Sequence, residues 1–332
     1  MSRFQKSGPT PAQATHDQLL TNVAIAFIQS ADKFVARNVF PTVPVRLAAG
    51  SYKVYPKGSF LRDQVAPRPR GGRVPVIGHD LDEAQYACVE EGLSTFIDDR
   101  DRANSVQPIN LENSKTRLLT SQHLIHLDRL WARRYMVAGV WDTELAGVAA
   151  APGAGEFLQF DQSASDPVGL IDELMDTFEK QSGGFRPNRM VVGKAVHRAL
   201  KNHADILDRY KHVQPGIITE QMLAAVFGVE KYLVPGAVYN SAAEGLADDI
   251  QYAIGENDVL LLYAASSASI EEPSAGYTFA WDGLMPQGGL EAAVMRWRDD
   301  PAHSDWFEVR MATDVKVVAT ELGIFLEDAV GG

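Results

Sequence analysis

Apolar positions along the chain change period several times, and each change marks a different element. Between residues 18 and 38, Leu19, Val23, Ala26, Phe27, Phe34 and Val35 suit a short helix that stops before Pro41. Residues 1–17 ahead of it are polar, with two prolines and no periodicity, and read as a flexible arm. Ser51 to Tyr55 alternates, and Tyr52, Val54 and Tyr55 favour strand. Asp80 to Phe96 resumes a strand-like pattern through Tyr86, Cys88 and Val89. The stretch between them, Pro56 to Pro75, is rich in Gly, Pro and Arg. Its PRPRGGRVP run excludes a helix or a central strand. The pattern therefore predicts a long β-hairpin arm with an irregular tip, a length that compact domains seldom carry without a functional reason.

Asn110 to Ala138 is the longest helical candidate. Leu127, Trp131 and Tyr135 stack at i, i+4 and i+8, with Leu124 and Leu130 beside them, while Arg129, Arg133 and Arg134 face elsewhere. Its 29 residues would span about 43 Å, with Gly139 as the stop. Gly147 to Gly155 reads as small and flexible. Asp166-Pro167 marks a helix start, Val168 to Phe178 supplies its apolar face, and Gly183-Gly184 ends it. Short strands over 190–192, 231–234 and 259–263 alternate with helices over 195–202 and 219–227, which predicts a compact domain of mixed α/β order. Trp306 to Phe325 returns to strand character, with turns expected at Ala312-Thr313-Asp314 and near Gly323; this last sheet is expected to pack on the long helix near residue 120.

The composition suits a folded chain: 332 residues, 45% apolar and 22% charged, enough for two domains and a large core. The longest uncharged run, Gln18 to Ala31, has 14 residues, too few to span a bilayer, and the N-terminus lacks the apolar stretch of a signal peptide. The expectation is a chain that is cytosolic in its site of synthesis. The net charge of -12 is unevenly divided. Residues 1–75 hold 11 Lys/Arg against 3 Asp/Glu, a net of +8; residues 76–332 hold 20 against 40, a net of -20. A basic front on an acidic body fits a nucleic-acid contact, or contact between copies of the chain, or ordinary scatter of surface charge.

Enzyme chemistry finds little support. Gly183-Gly184 precedes a strand instead of following one, and the chain holds no Gly-x-Ser-x-Gly elbow. One cysteine excludes an intrachain disulfide and Cys-cluster metal sites. Cys88 lies beside Glu90 and Glu91, which would hold its thiol protonated, so it reads as a buried structural residue. His123 and His126 are three apart on the long helix, but no His-Glu-x-x-His completes a metal set, and Asp128 lies off their face. His203, Asp205 and Asp208 cluster with no nucleophile in register. The expected catalytic, cofactor-binding and metal residues are none. The Asp98-Asp99-Arg100-Asp101-Arg102 run suits a salt-bridged surface or a subunit contact better than acid–base work. Arg62, Arg68, Arg70 and Arg73 put four positive charges into the hairpin tip. They are the candidates for inter-subunit contact, with Glu90, Glu91, Asp98, Asp99 and Asp101 as their acceptors on a neighbouring copy.

Eight stretches in order resemble the major capsid proteins of tailed bacteriophages of the Hong Kong 97 type. They are NVFPTVPV (38–45), GSYKVYPKGSFLRD (50–63), DDRDRAN (98–104), WARRYMVAGVW (131–141), SDPVGLID (165–172), GFRPNRMVVGKAVHRALKNHADILDRYK (184–211), MLAAVFGV (222–229) and PSAGYTFAW (273–281). The resemblance implies an α+β fold of that type. Its parts would be an N-terminal arm (1–45), an extended β-hairpin loop (46–96), a peripheral domain (97–159 and 276–332) with a spine helix over 110–138, and an axial domain (160–275), the peripheral sheet being completed by 300–326. Some relatives join subunits by Lys–Asn isopeptide bonds; Lys53 and Lys57 lie in the loop, but residue identity alone does not locate a catalyst or an acceptor.

The function implied is a structural subunit of an icosahedral phage head, self-assembling as pentamers and hexamers around double-stranded DNA, without enzyme activity or cofactor. The implied partners are other copies of the chain, a separate scaffolding protein (the match starts near residue 20, leaving no room for a fused one), a portal protein and, as an open question, a cement protein. Contact with packaged DNA would be weak and non-specific, with Arg3 and Lys6 as the only candidates; the favoured alternative is that this arm clamps a neighbouring copy, and no membrane is involved. The implied place is the virion capsid, after assembly in the host cytoplasm. An encapsulin-like compartment shell is the alternative on the same fold, and a soluble α+β enzyme the remaining one.

Overall fold

The computed structural model describes residues 15–16, 33–54, 61–68, 70–74, 76, 78, 82–104, 111–210, 218–267, 272–283 and 293–331. The expected helix over 18–38 falls largely outside these; within them a helical turn, Ala36–Val39, ends in extended Phe40 before Pro41. Of the arm, Thr15–His16 pairs antiparallel with the strand Ala293–Asp299.

The long helix runs over Leu111–Tyr135, a few residues shorter at each end than its periodicity suggested. Its upper part buries Leu119 against Ile97, Val294, Phe307 and Val309. Leu127, Trp131 and Tyr135 enter the main core. The helix thus bridges two sheets.

The first sheet runs in the order Thr15–His16, Ala293–Asp299, Ser304–Val317, Gly276–Trp281, Thr42–Val45. Val89–Asp98 lies along Ser304–Val317 as well, in antiparallel register. The expected turn at Ala312-Thr313-Asp314 is not formed. The strand continues through it because Thr313 and Asp314 face Ala280 and Phe279 across a regular ladder. The turn near Gly323 is there, as a 3-10 turn over Thr320–Leu322.

The second sheet has the order Glu156–Leu158, Thr143–Val148, Gly323–Glu327, Val259–Leu262, Arg189–Val192, Lys231–Leu233. The expectation that 300–326 completes one sheet is corrected: the first part stays in the first sheet, and Gly323–Glu327 pairs with Val259–Leu262 in the second. Gly147 also belongs to a strand here, not to a flexible link. Val259–Leu262 and Arg189–Val192 are buried at every position, as apolar strands inside a mixed sheet should be; their one charged residue, Arg189, donates to the Asn38 and Val39 carbonyls. Helix Pro167–Ser182 adds Ile171, Leu174, Met175 and Phe178 to the same core. It starts as its sequence requires: Asp166 accepts the Gly169 N–H at 2.9 Å, and Pro167 occupies the first turn. It stops at Gly183, whose φ of 82° suits glycine alone without strain.

The predicted hairpin arm forms. Ala49–Val54 pairs antiparallel with Asp82–Ala87, and the described residues 61–68 and 70–74 between them have no helix or strand. Several elements escaped the periodicity, among them strands Thr42–Val45, Gly276–Trp281 and Ala293–Asp299, helix Ala204–Tyr210 and a small hairpin, Val238–Asn240 with Ile250–Tyr252.

Candidate inter-subunit surface

The root of the arm is fixed by aromatic packing and one buried carboxylate. Tyr86 stacks on Phe279 at 4.7 Å between ring centroids, and Tyr52 lies against the same ring at 5.2 Å. Asp314 accepts the Ala87 N–H at 2.9 Å and pairs with Arg134 of the long helix at 3.1 Å. Tyr135 donates its hydroxyl to the Val315 carbonyl. Cys88 is half-buried, its thiol donating to the Phe279 carbonyl. Burial, and secondly the Asp314 charge, push its pKa up to about 11. The thiol is therefore protonated, as the sequence suggested, but Asp314 replaces Glu90 and Glu91 as the neighbouring charge.

The tip contrasts with the root. Arg62, Arg68, Arg70 and Arg73 are all exposed, and Arg68 Nε donates to the Gly72 carbonyl at 2.7 Å. Leu61, Val65, Val74 and Val76 are exposed with them, Val65 at 94%.

The five candidate acceptors lie on strand Val89–Asp98 and the short helix Asp99–Asn104 after it. Three have partners within the chain. Glu90 meets Arg310 at 3.3 Å, Glu91 meets His126 at 2.8 Å, and Asp99 meets Arg298 at 2.5 Å. The hydrogen bond from Arg298 holds the Asp99 carboxyl below its ordinary pKa. Asp98 accepts the Arg100 N–H at 2.8 Å, and Asp101 is exposed. The structure therefore places Glu90 and Glu91 at one end of the strand and Asp98, Asp99 and Asp101 at the other.

Two features were missed. Asp128, read as lying off the histidine face, is buried and accepts the N–H groups of Ala36 at 3.0 Å and Val35 at 3.4 Å. It ties the N-terminal segment to the long helix. Burial pushes its pKa up to about 7 against the opposing effect of those two hydrogen bonds. The second is a row of three aromatic rings, Phe96, Trp306 and Trp297, side by side across the first sheet.

No protein-family model matches the chain. The major capsid protein of Burkholderia phage BcepMu is 28% identical over 272 residues, 79% of this chain and 82% of that one. A phage-related protein from Bordetella bronchiseptica superposes with a TM-score of 0.70 at 22% identity, over 95% of this chain and 98% of its own. The capsid protein of cyanophage P-SCSP1u shares the fold at a TM-score of 0.53 and 10% identity, over 98% and 92%. The chain is thus similar in sequence to a phage major capsid protein and in fold to phage capsid structures. It has the α+β capsid fold, related to the Hong Kong 97 type.

One cluster among the described residues resembles a catalytic triad in composition. Ser165 Oγ lies 3.1 Å from His203 Nε2, and Asp205 follows two residues on. The sequence reading found no nucleophile for His203; the fold supplies Ser165. Yet the Ser165 hydroxyl donates to the Gln162 carbonyl at 2.7 Å. His203 Nδ1 lies 3.4 Å from the Asp205 backbone nitrogen and 3.6 Å from its carboxylate. The adjoining cleft, about 500 Å³, is lined by His203, Arg198 and Asn202 but not by Ser165. His123 and His126 separate, one buried and one exposed. Among the described residues no group of three or more His, Cys, Asp or Glu is placed to hold a metal, and no helix is long and apolar enough to cross a membrane.

Proposed function

We propose that the chain assembles as pentamers and hexamers into an icosahedral head shell that encloses double-stranded DNA. The observation that supports this best is the similarity to the BcepMu capsid protein over four fifths of both chains. On this reading residues 1–45 are the arm, 46–96 the extended loop, 97–159 and 276–332 the peripheral domain with its spine helix, and 160–275 the axial domain nearest the symmetry axes. The strands Thr143–Val148, Glu156–Leu158 and Gly323–Glu327 extend the axial sheet. Assembly takes place in the host cytoplasm with a separate scaffolding protein and around a portal; a cement protein is a further partner to look for.

Charge supports contact between copies. The basic front, +8 over residues 1–75, meets an acidic body of -20, and opposite patches steer association and fix register. Arg62, Arg68, Arg70 and Arg73 face a neighbour, with Glu90, Glu91, Asp98, Asp99 and Asp101 as acceptors, of which the exposed Asp101 is the most accessible. DNA contact is phosphate-only, through Arg3 and Lys6, and weakens with salt at about one logarithmic unit per phosphate neutralised. Light scattering on the purified chain under assembly conditions tests the reading. A particle in the megadalton range is expected, and a stable species below about 200 kDa, roughly five chains at the mass given by composition, would overturn it. Protein cargo in place of DNA inside native particles would favour a compartment shell.

A further inference from the structure

The small hairpin, Val238–Asn240 with Ile250–Tyr252, stands outside both large sheets and pairs with no further strand among the described residues. Its register sets Tyr239 opposite Gln251, and that face turns to the long helix, where Arg129 lies 3.9 Å from the centre of the Tyr239 ring. Alternation sends Val238, Tyr252 and Ile250 to the other face. There they are 47%, 37% and 59% exposed, and Leu246 in the connecting loop is 70% exposed. The loop holds its shape by itself. The Asn240 side chain accepts the Ala242 and Asp249 N–H groups at 3.1 and 3.0 Å and donates to Asp248 at 2.7 Å, and Ser241 donates to the Asp249 carboxylate. Glu244, Asp248 and Asp249 stand in this loop, all exposed. Charge is of one sign over a long stretch: between Lys231 and Arg296 the sequence has nine Asp/Glu and no Lys/Arg. Two cations near the hairpin, Arg129 and Lys33, lie under it and at its foot beside Gly236.

We propose that this open face of the hairpin seats a cationic amphipathic helix of a separate protein chain. The proposal goes beyond the shell-subunit reading and rests on the hairpin alone. Two strands about 5 Å apart, with their side chains, make a surface about one helix wide. Val238, Ile250 and Tyr252 can receive the apolar stripe of such a helix. Lysines or arginines flanking that stripe bury their stems on the patch and carry their charges to Glu244, Asp248 and Asp249. The loop is already ordered, so little conformational entropy is lost on docking. The hairpin gains as well, since an isolated pair of strands is marginal by itself. A second copy's hairpin is the poorer occupant, because it would bring these three carboxylates against their own kind. One cationic helix of the chain, Lys194–Asn202, does not fit either: it offers Lys194, Arg198 and Lys201, but its Val196 and Leu200 are fully buried.

The probe is a labelled synthetic peptide of about 14 residues, four helical turns, with leucines on one face and lysines on the other. Fluorescence anisotropy follows its binding to the full-length, unassembled chain. Saturable binding is expected, weakening as salt screens the exposed charges. Leu246→Ser with Ile250→Ser should weaken it about tenfold. Glu244→Gln with Asp248→Asn should weaken it about threefold, the new asparagine keeping an oxygen for the Asn240 amide. Leu207→Ser, at an exposed position of the acidic helix Ala204–Tyr210, should leave it unchanged, and the same peptide with glutamate for lysine should not bind. If the double serine variant loses the hairpin, Leu246→Ser alone decides, because Leu246 lies outside both strands; it should weaken binding about threefold. Binding that Leu246→Ser and the charge variant change by less than about twofold, or that Leu207→Ser weakens equally, overturns the inference. So does self-association of the unmodified chain, without peptide, that Leu246→Ser abolishes, since a second copy would then be the occupant. Each of these outcomes leaves the shell reading standing, because particle size tests that separately.

Discussion

In the second sheet, Arg189–Val192 and Val259–Leu262 are buried at every position. In the first, Ile97, Phe307 and Val309 are buried while Phe96 is half exposed and Trp297 and Trp306 are only partly covered. One sheet is finished by its own chain. The other has one face filled by the long helix and one face carrying large aromatic rings that the described residues of the same chain leave open. A protein that folds before it assembles needs both kinds of surface: a core stable enough to hold the monomer, and an unfinished face that gains by meeting a neighbour. The hairpin arm repeats the contrast over a shorter distance, with a root locked by Tyr52, Tyr86 and Phe279 and an exposed tip of alternating charge and proline.

Substitutions should separate the two regions cleanly. The largest effect on the monomer is expected from Leu261→Ala, in a fully buried central strand. Truncation there removes apolar contacts and leaves a cavity, at about 2–5 kcal/mol. Chemical denaturation of the unassembled chain measures it, and a loss below about 1 kcal/mol would deny that this sheet holds the fold.

The tie between the N-terminal segment and the long helix comes next. Asp128 has a folded pKa near 7, raised by burial, against 3.8 for the free side chain. The folded chain therefore binds this proton more tightly than the unfolded one. Its contribution is most favourable below about pH 4, declines as pH rises from about 4 to 7, and is level above that. Relative to Asp128→Asn, the natural chain should lose on the order of 2–3 kcal/mol between pH 5 and pH 8. A stability difference that stays constant over that range would contradict the assignment.

Smaller effects follow. Asp166→Ala removes the cap of helix Pro167–Ser182 and should cost about 1 kcal/mol, read as a shift in the thermal midpoint. Trp297→Ser should cost the monomer about 1 kcal/mol or less, the order of one aromatic pair, while sharply reducing the yield of particles. If it unfolds the monomer as thoroughly as Leu261→Ala, the first sheet is no less complete than the second and the contrast fails.

What the sequence made legible follows the same division. Elements that close on themselves through local chemistry were read to within a few residues: the capped helix from Pro167, the strand pair around the hairpin loop, and the apolar stripe from Leu124 to Tyr135. The pairing of Gly323–Glu327 with Val259–Leu262 was not, because a sheet partner 60 residues away leaves no mark in the local pattern. The strand through Ala312–Asp314 was broken too early, since polar Thr313 and Asp314 resemble a turn until their long-range contacts are known. Asp128 had a signal that went unused: it falls between Leu124 and Trp131 on the buried stripe, where a carboxylate must find donors. The aromatic row is visible only once the register places Phe96, Trp306 and Trp297 together. The arginines and carboxylates named as contacts stood out because charge needs no fold to be noticed, whereas the engagement of Glu90, Glu91 and Asp99 within the chain depends on one.

Electron cryomicroscopy of particles assembled from the full-length chain tests the central claim most directly. The account predicts closed shells in which a neighbouring subunit covers Phe96, Trp306 and Trp297, with the second sheet buried inside each subunit. Shells in which the aromatic row faces open solvent in every subunit, or a chain that remains a small soluble oligomer, would contradict it.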